Sequence, residues 1–172
     1  ATPIRVFLLD DHQMFAASLV RVLDDEPDVT VVGTAATIAE AVARCPAARP
    51  DVAIVDFLLP DGDGPHAIEA LRLAVPGAKF LVLTALNDEQ TLAASLAAGC
   101  DGFVSKDQPP EELLDALRSL RSGEAVLPAG LLTRALPLLR RSADRAVLTR
   151  RELDVLRLLA DGLSNHDVAQ HL

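Results

Sequence analysis

The chain has 172 residues, half of them hydrophobic and 24% charged, which suits one domain of ordinary size followed by a smaller one. Sixteen basic residues against 25 acidic ones leave a net charge of −9, which excludes a protein that coats nucleic acid over its whole surface. No apolar run reaches the ~18 residues of a membrane span, and residues 1–20 lack the basic start and small-residue cleavage site of a secretory signal, so a soluble, cytoplasmic protein is expected. Cys45 and Cys100 stand at unrelated positions that fit neither a disulfide framework nor a zinc site; they are expected as reduced, semi-buried thiols outside any mechanism.

Residues 1–123 carry 19 acidic and 9 basic residues, whereas 124–172 carry 6 and 7, so the acidity belongs to the first part. Short β-branched or apolar runs at 4–9, 29–32, 52–55, 80–83 and 103–104 alternate there with longer stretches of helical period. Unbroken apolar strands are buried on both faces, which predicts an α/β fold with a five-stranded, doubly wound parallel sheet. Phe15, Leu19, Val22 and Leu23 form one helical stripe, and Leu113, Leu117 and Leu120 another; both are read as core. Pro109 and Pro110 ahead of Glu111 and Glu112 start the last helix of this part, and Gly123 ends it.

Residues 124–147 read as a connector, the most basic stretch through Arg140, Arg141 and Arg145. Within it 131–139 carry a helical period that Pro137 is expected to kink or interrupt. Thr149 and Glu152 are spaced as a capping box ahead of a stripe at Leu153, Leu156, Leu159 and Ala160, with Gly162 as the stop. Ser164-Asn165-His166-Asp167 opens a second helix carrying Val168, Ala169 and Leu172. Two short helices cannot build their own core, so the chain is expected to stop inside a small helical domain.

In an open α/β sheet, functional groups gather at the carboxyl ends of the strands. Here those ends carry Asp10 and Asp11, Asp56, Thr84, and Ser105 with Lys106. Bunched carboxylates are tolerable only with an offsetting cation, and oxygen-only ligation selects a hard ion such as Mg²⁺. The Asp61-Gly62-Asp63-Gly64 turn lacks the later bidentate Glu of a calcium loop, and its glycines read as turn formers. His12 and His66 read as solvent-facing helix starts. No Gly-x-Gly-x-x-Gly follows the first strand, which removes a dinucleotide-binding fold.

Asp10-Asp11, then Asp56-x-x-x-Pro60-x-x-x-Gly64, then Thr84, Phe103 and Lys106, each at a strand end, resemble the receiver domain of two-component response regulators over residues 1–123. From Leu148 onward, Leu-Thr-Arg-Arg-Glu, Val155-Leu156, Ala160-x-Gly162 and Ser164-Asn165 resemble the opening of a LuxR/NarL-type helix-turn-helix domain, and the pairing resembles the NarL/FixJ subfamily. The resemblance implies a flavodoxin-like receiver (1–123), a linker (124–147) and an incomplete all-α helix-turn-helix domain (148–172), with the recognition helix that reads bases beyond Leu172.

It further implies that Asp56 is the nucleophile and phosphoacceptor, fed by a partner histidine kinase. Mg²⁺ would be held by Asp11 directly, by Asp10 largely through water, by Asp56 and by the backbone carbonyl of Leu58. Lys106 would pair with the phosphoryl oxygens, and Thr84 would donate its hydroxyl to them. That movement would empty space into which Phe103 turns, gaining packing but no phenolic hydrogen bond. Leu58 and Leu86 flank the path of attacking water and imply slow self-dephosphorylation. The implied protein is not an enzyme; it is a transcription regulator that dimerises when active and binds DNA through a complete C-terminal domain, this chain binding weakly if at all. Two rivals are a phosphorylation-independent interaction module, opposed by the intact acidic set, and a Mg²⁺-dependent phosphohydrolase, opposed by the absence of a second general acid.

Overall fold

A computed structural model describes residues 2–143, 150–164, 167, 168 and 170. In chain order the elements are β1 (Ile4–Leu9), α1 (Gln13–Asp24), β2 (Val29–Ala35), α2 (Ile38–Ala48), β3 (Val52–Val55), the strand pair β4 (Leu58–Leu59) and β5 (Gly62–Asp63), then α3 (Gly64–Ala74). They continue with β6 (Lys79–Thr84), α4 (Glu89–Ala97), β7 (Gly102–Ser105), α5 (Pro110–Arg121), α6 (Ala129–Ala143) and α7 (Arg150–Ala160). Five strands form one parallel sheet in the order β2-β1-β3-β6-β7, as a doubly wound fold requires. The antiparallel β4–β5 pair stands apart from it.

Successive residues of each strand feed two different cores. Phe7, Leu9, Ala53, Val55, Phe80, Val82 and Phe103 pack with α2, α3 and α4. Val6, Leu8, Val52, Ile54, Leu81, Leu83 and Val104 pack with α1 and α5, through Leu19, Leu23, Leu113, Leu117 and Leu120. A strand covered on both faces has no polar side to alternate with, which explains the unbroken apolar runs. β2 extends past its apolar run to Ala35 because Gly33, Thr34 and Ala35 pair with Phe7, Leu8 and Leu9, a constraint no hydropathy pattern displays.

Side chains and glycines mark the helix ends. Thr37, Asp63 and Asp88 accept the Glu40, His66 and Thr91 N–H at the starts of α2, α3 and α4. Pro110 enters α5 in its first turn with Glu111 and Glu112, and Gly123 follows it at φ +85°. Gly162, at φ +83°, closes α7 in the same way. Ser164 and Asp167 bond reciprocally, the Ser164 hydroxyl donating to Asp167 Oδ2 at 2.7 Å, at the start of the helical residues 167 and 168. Thr149, Asn165, His166, Ala169 and Leu172 lie outside the described residues.

One expectation is corrected. Pro137 does not interrupt its segment: α6 runs as a single helix from Ala129 to Ala143 with the proline inside it. An internal proline costs about 3 kcal/mol. Against that, Leu131, Leu132, Ala135 and Leu139 are at most 5% exposed in the core shared with α4, and α7 packs on α6 in turn. Burial of three leucines at roughly 2 kcal/mol each outweighs the proline. The connector also extends the sheet edge, since the Phe103 N–H donates to the Val126 carbonyl at 2.8 Å and the Val126 N–H to Asp101 at 3.1 Å.

Candidate functional site

The carboxyl edge of the sheet is assembled by backbone hydrogen bonds before any side chain acts. The Asp10 N–H donates to Ala35 O, Asp56 N–H to Leu9 O, and Lys106 N–H to Thr84 O, at 2.9–3.0 Å, so the residues after β1, β3 and β7 are held in register. Their side chains then meet. Lys106 Nζ lies 2.7 Å from Asp10 Oδ2 and 2.8 Å from Asp56 Oδ2, and all three side chains are largely buried. Burial opposes the Lys106 charge, but the hydrogen bonds to Asp10 and Asp56 outweigh it and raise the ammonium pKa. The ammonium also stands 4.5 Å above the Phe15 ring, a contact hidden from a sequence reading that assigned Phe15 to the core stripe.

Asp11 is half-buried, and its Oδ1 atom is shielded from solvent with no hydrogen-bond partner. Carboxylate and imidazole atoms of Asp10, Asp11, His12 and Asp56 all lie within 4.8 Å of one another. Three carboxylates against one ammonium leave an excess of two negative charges, which one divalent cation balances. The residues present therefore fit a hard, oxygen-preferring ion such as Mg²⁺. His12 departs from the sequence expectation in part: its ring is 66% exposed, yet Nδ1 turns inward to within 3.5 Å of all three acids.

A pocket of about 390 Å³ opens beside this cluster, lined by Asp56, Lys106, Thr84, Ala85, Phe15 and the exposed side chains of Leu58, Leu86 and Met14. Thr84 is 1% exposed, and its hydroxyl oxygen accepts the Leu86 N–H at 3.1 Å. Phe103 is not part of this pocket. It is buried under the connector and lines a separate cleft with Asn87, Val126 and Pro128.

The loop after Asp56 is fixed by its own acids and by the close approach of one glycine. Asp61 reaches across to α2, accepting the Ile38 N–H at 2.9 Å and the Ala39 N–H at 3.0 Å, which lowers its carboxyl pKa. Asp63 caps α3 and accepts from His66, so neither acid faces a shared ion. Neither Gly62 nor Gly64 has a positive φ. A Cβ on Gly64 would sit 3.2 Å from the Phe57 backbone, a close approach that favours glycine there, whereas one on Gly62 would meet only the end of the Ile38 side chain. Cys45 and Cys100 are buried free thiols; desolvation pushes Cys45 up to about 11 and raises Cys100 further.

Comparison with known proteins agrees with this geometry. Residues 6–118 match the response regulator receiver domain, and residues 146–172 match the bacterial regulatory proteins of the luxR family. The chain is 36% identical to the DNA-binding transcriptional activator DevR/DosR of Mycobacterium tuberculosis, over 98% of this chain and 80% of that protein. It is 33% identical to the Escherichia coli nitrate/nitrite response regulator NarL, over 99% and 81%. Among solved structures, Salmonella RcsB bound to promoter P1flhDC with the phosphomimetic BeF3- has 29% identity and a TM-score of 0.70, over 99% of this chain and 83% of that one. No helix among the described residues is long and apolar enough to cross a membrane. The chain belongs to the NarL/FixJ family of response regulators, a receiver domain joined to LuxR-type DNA-binding sequence.

Proposed function

We propose that this chain is the phosphorylation-controlled part of a cytoplasmic transcription regulator, with Asp56 as phosphoacceptor and Mg²⁺ as its cofactor. The observation that carries the reading is Lys106 bridging Asp10 and Asp56 beside the orphaned Asp11 Oδ1. An Asp56 carboxylate oxygen attacks the phosphorus of a phosphohistidine on a partner kinase; the P–N bond breaks, the imidazole takes up a proton, and an acyl phosphate remains on Asp56. Asp10, Asp11, Asp56 and the Leu58 carbonyl would hold Mg²⁺, which when bound neutralises charge on the transferring oxygens. Lys106 moves from the two carboxylates toward the new phosphoryl oxygens. The Thr84 hydroxyl, an acceptor from Leu86 here, turns to donate to the same group, and Phe103 follows as the switch residue.

This reading divides the chain into a receiver at 1–123, a helical linker at 124–147 and the start of the DNA-binding domain at 148–172. A dimer on a two-fold DNA site is the output this reading implies. Exposed, apolar Leu58 and Leu86 offer attacking water no hydrogen-bond partner at the pocket mouth, so the phosphoryl group is expected to persist for minutes or longer. Loss within seconds, followed by intact mass, would refute that expectation.

Intact mass after incubation with Mg²⁺ and acetyl phosphate tests the assignment. One added phosphoryl group is expected, dependent on metal and absent in Asp56→Asn. A folded wild type that gains nothing would instead be a phosphorylation-independent interaction module, and rapid release of inorganic phosphate would identify a phosphohydrolase.

A further inference from the structure

We propose that Phe15 is the positioning residue for Lys106: the face of its ring holds the ammonium at the pocket while the carboxylate contacts of Lys106 are exchanged for phosphoryl oxygens. The proposal rests on the roles of Asp56 and Lys106 put forward above and adds the residue that places the lysine. The apolar stripe of α1 does not by itself account for a ring at this position. Leu19 and Leu23, one and two turns further on, are 7% and 0% exposed, whereas Phe15 is only partly buried against the same core. A leucine would continue the stripe equally well. What an aliphatic side chain lacks is a face of negative potential, and here that face carries the Lys106 ammonium 4.5 Å from the ring centroid.

Lys106 needs such a support. Its backbone is fixed by the N–H bond to the Thr84 carbonyl at 2.9 Å, but its charge stands at the end of a flexible four-carbon stem. An ammonium has three donors, and two of them reach Asp10 Oδ2 at 2.7 Å and Asp56 Oδ2 at 2.8 Å. The bond to Asp56 cannot survive unchanged once that carboxylate carries a phosphoryl group. The ring contact does not depend on which anion stands before the ammonium, so it persists through the exchange and acts as its pivot. The ring and the ammonium also line a second cleft of about 250 Å³ between α1 and α5, beside Gln108 and Leu113. A smaller residue at 15 would let the ammonium settle in that cleft, away from Asp56.

The test replaces Phe15 by its 4-fluoro, 3,5-difluoro and 3,4,5-trifluoro analogues, which keep the ring's shape while draining charge from its face. Phosphorylation by acetyl phosphate at saturating Mg²⁺ is followed by intact mass; Asp56 takes the phosphoryl group as the P–O bond to the acetyl group breaks and acetate leaves. The rate is expected to fall stepwise, about fivefold across the series, at constant melting temperature, and to fall at least as far in Phe15→Leu. In a Lys106→Met background the trend should vanish, as a double-mutant cycle requires. The contact is read independently by ¹³C-labelling the lysine ε-carbons, because Lys79 and Lys106 are the two lysines of the chain and Lys79 pairs with Asp101 at the opposite end of the sheet. The Lys106 ε-protons are expected upfield of those of Lys79 before and after phosphorylation, and to lose that displacement in Phe15→Leu.

A rate that is flat across the fluorinated series, or that follows the melting temperature, would make Phe15 a packing residue and overturn the proposal while leaving Asp56 as phosphoacceptor. An upfield displacement that disappears on phosphorylation would overturn the pivot. A folded wild type that takes up no phosphoryl group would remove the phosphoacceptor reading and the positioning role with it.

Discussion

Asp11 is the residue whose position is hardest to reconcile with stability alone. Its Oδ1 is shielded and has no hydrogen-bond partner, only the His12 ring nitrogen 3.3 Å away, and two further carboxylates share the space. Lys106 answers Asp10 and Asp56, each through one oxygen, and forms no ion pair with Asp11. In the absence of metal, the Asp11 charge is therefore a net repulsion, softened by solvent because the side chain is 35% exposed. Asp11→Asn is expected to raise the melting temperature of the metal-free chain by about 2–4 °C, equivalent to about 1 kcal/mol for a protein of this size. The same variant should lose the further rise that millimolar Mg²⁺ gives wild type, by the linkage of binding to folding. Calorimetry with and without metal reads both effects, and a less stable metal-free variant would show that Asp11 is structural.

At the scale of elements, the strand-end acids divide into those that form the site and those that hold it. Asp10, Asp11 and Asp56 follow strands and converge, whereas Asp61 ties the β4–β5 loop to the start of α2. Its pKa is lowered, chiefly by the Ile38 N–H. A carboxyl whose folded pKa lies below its unfolded value contributes stability in full above the unfolded pKa and loses it as pH falls through the folded one. Asp61→Ala is therefore expected to lower the denaturant midpoint at pH 7, with the gap to wild type narrowing below about pH 4. A gap that does not change with pH would mean the carboxylate charge plays no part in anchoring the loop. The sequence displayed the first set of acids clearly, because each follows an apolar strand. It hid the second, because Asp61 acts on backbone 22–23 residues away and its turn-like neighbours offered a simpler reading. His12 was hidden for a related reason: exposure and inward direction of one ring atom coexist, and no periodicity encodes the latter.

The whole molecule is a receiver whose edge is finished by the sequence that follows it. Strand and helix order, the two cores and the convergence of Asp56 and Lys106 were legible, since all follow from apolar period and parallel pairing. What α6 does was not, because Pro137 argues locally against a helix and only the α4 surface, distant in sequence, argues for one. Leu131, Leu132, Ala135 and Leu139 share the core that contains Phe103, and the Val126 carbonyl takes the Phe103 N–H. A chain ending at Gly123 would uncover that apolar surface and leave the β7 edge N–H to water. Compared with a chain ending at Ala143, it is expected to unfold at lower denaturant, bind more of a hydrophobic dye, and exchange the Phe103 amide faster. Leu132→Ala in the longer chain should reproduce part of the loss, about 2–5 kcal/mol for a leucine 1% exposed. Equal stability of the two truncations would show that α6 rests on the receiver without supporting it. A deficit confined to α4, α6 and β7 in the hydrogen exchange of Leu132→Ala would place the support at the packed surface that Phe103 shares with α6.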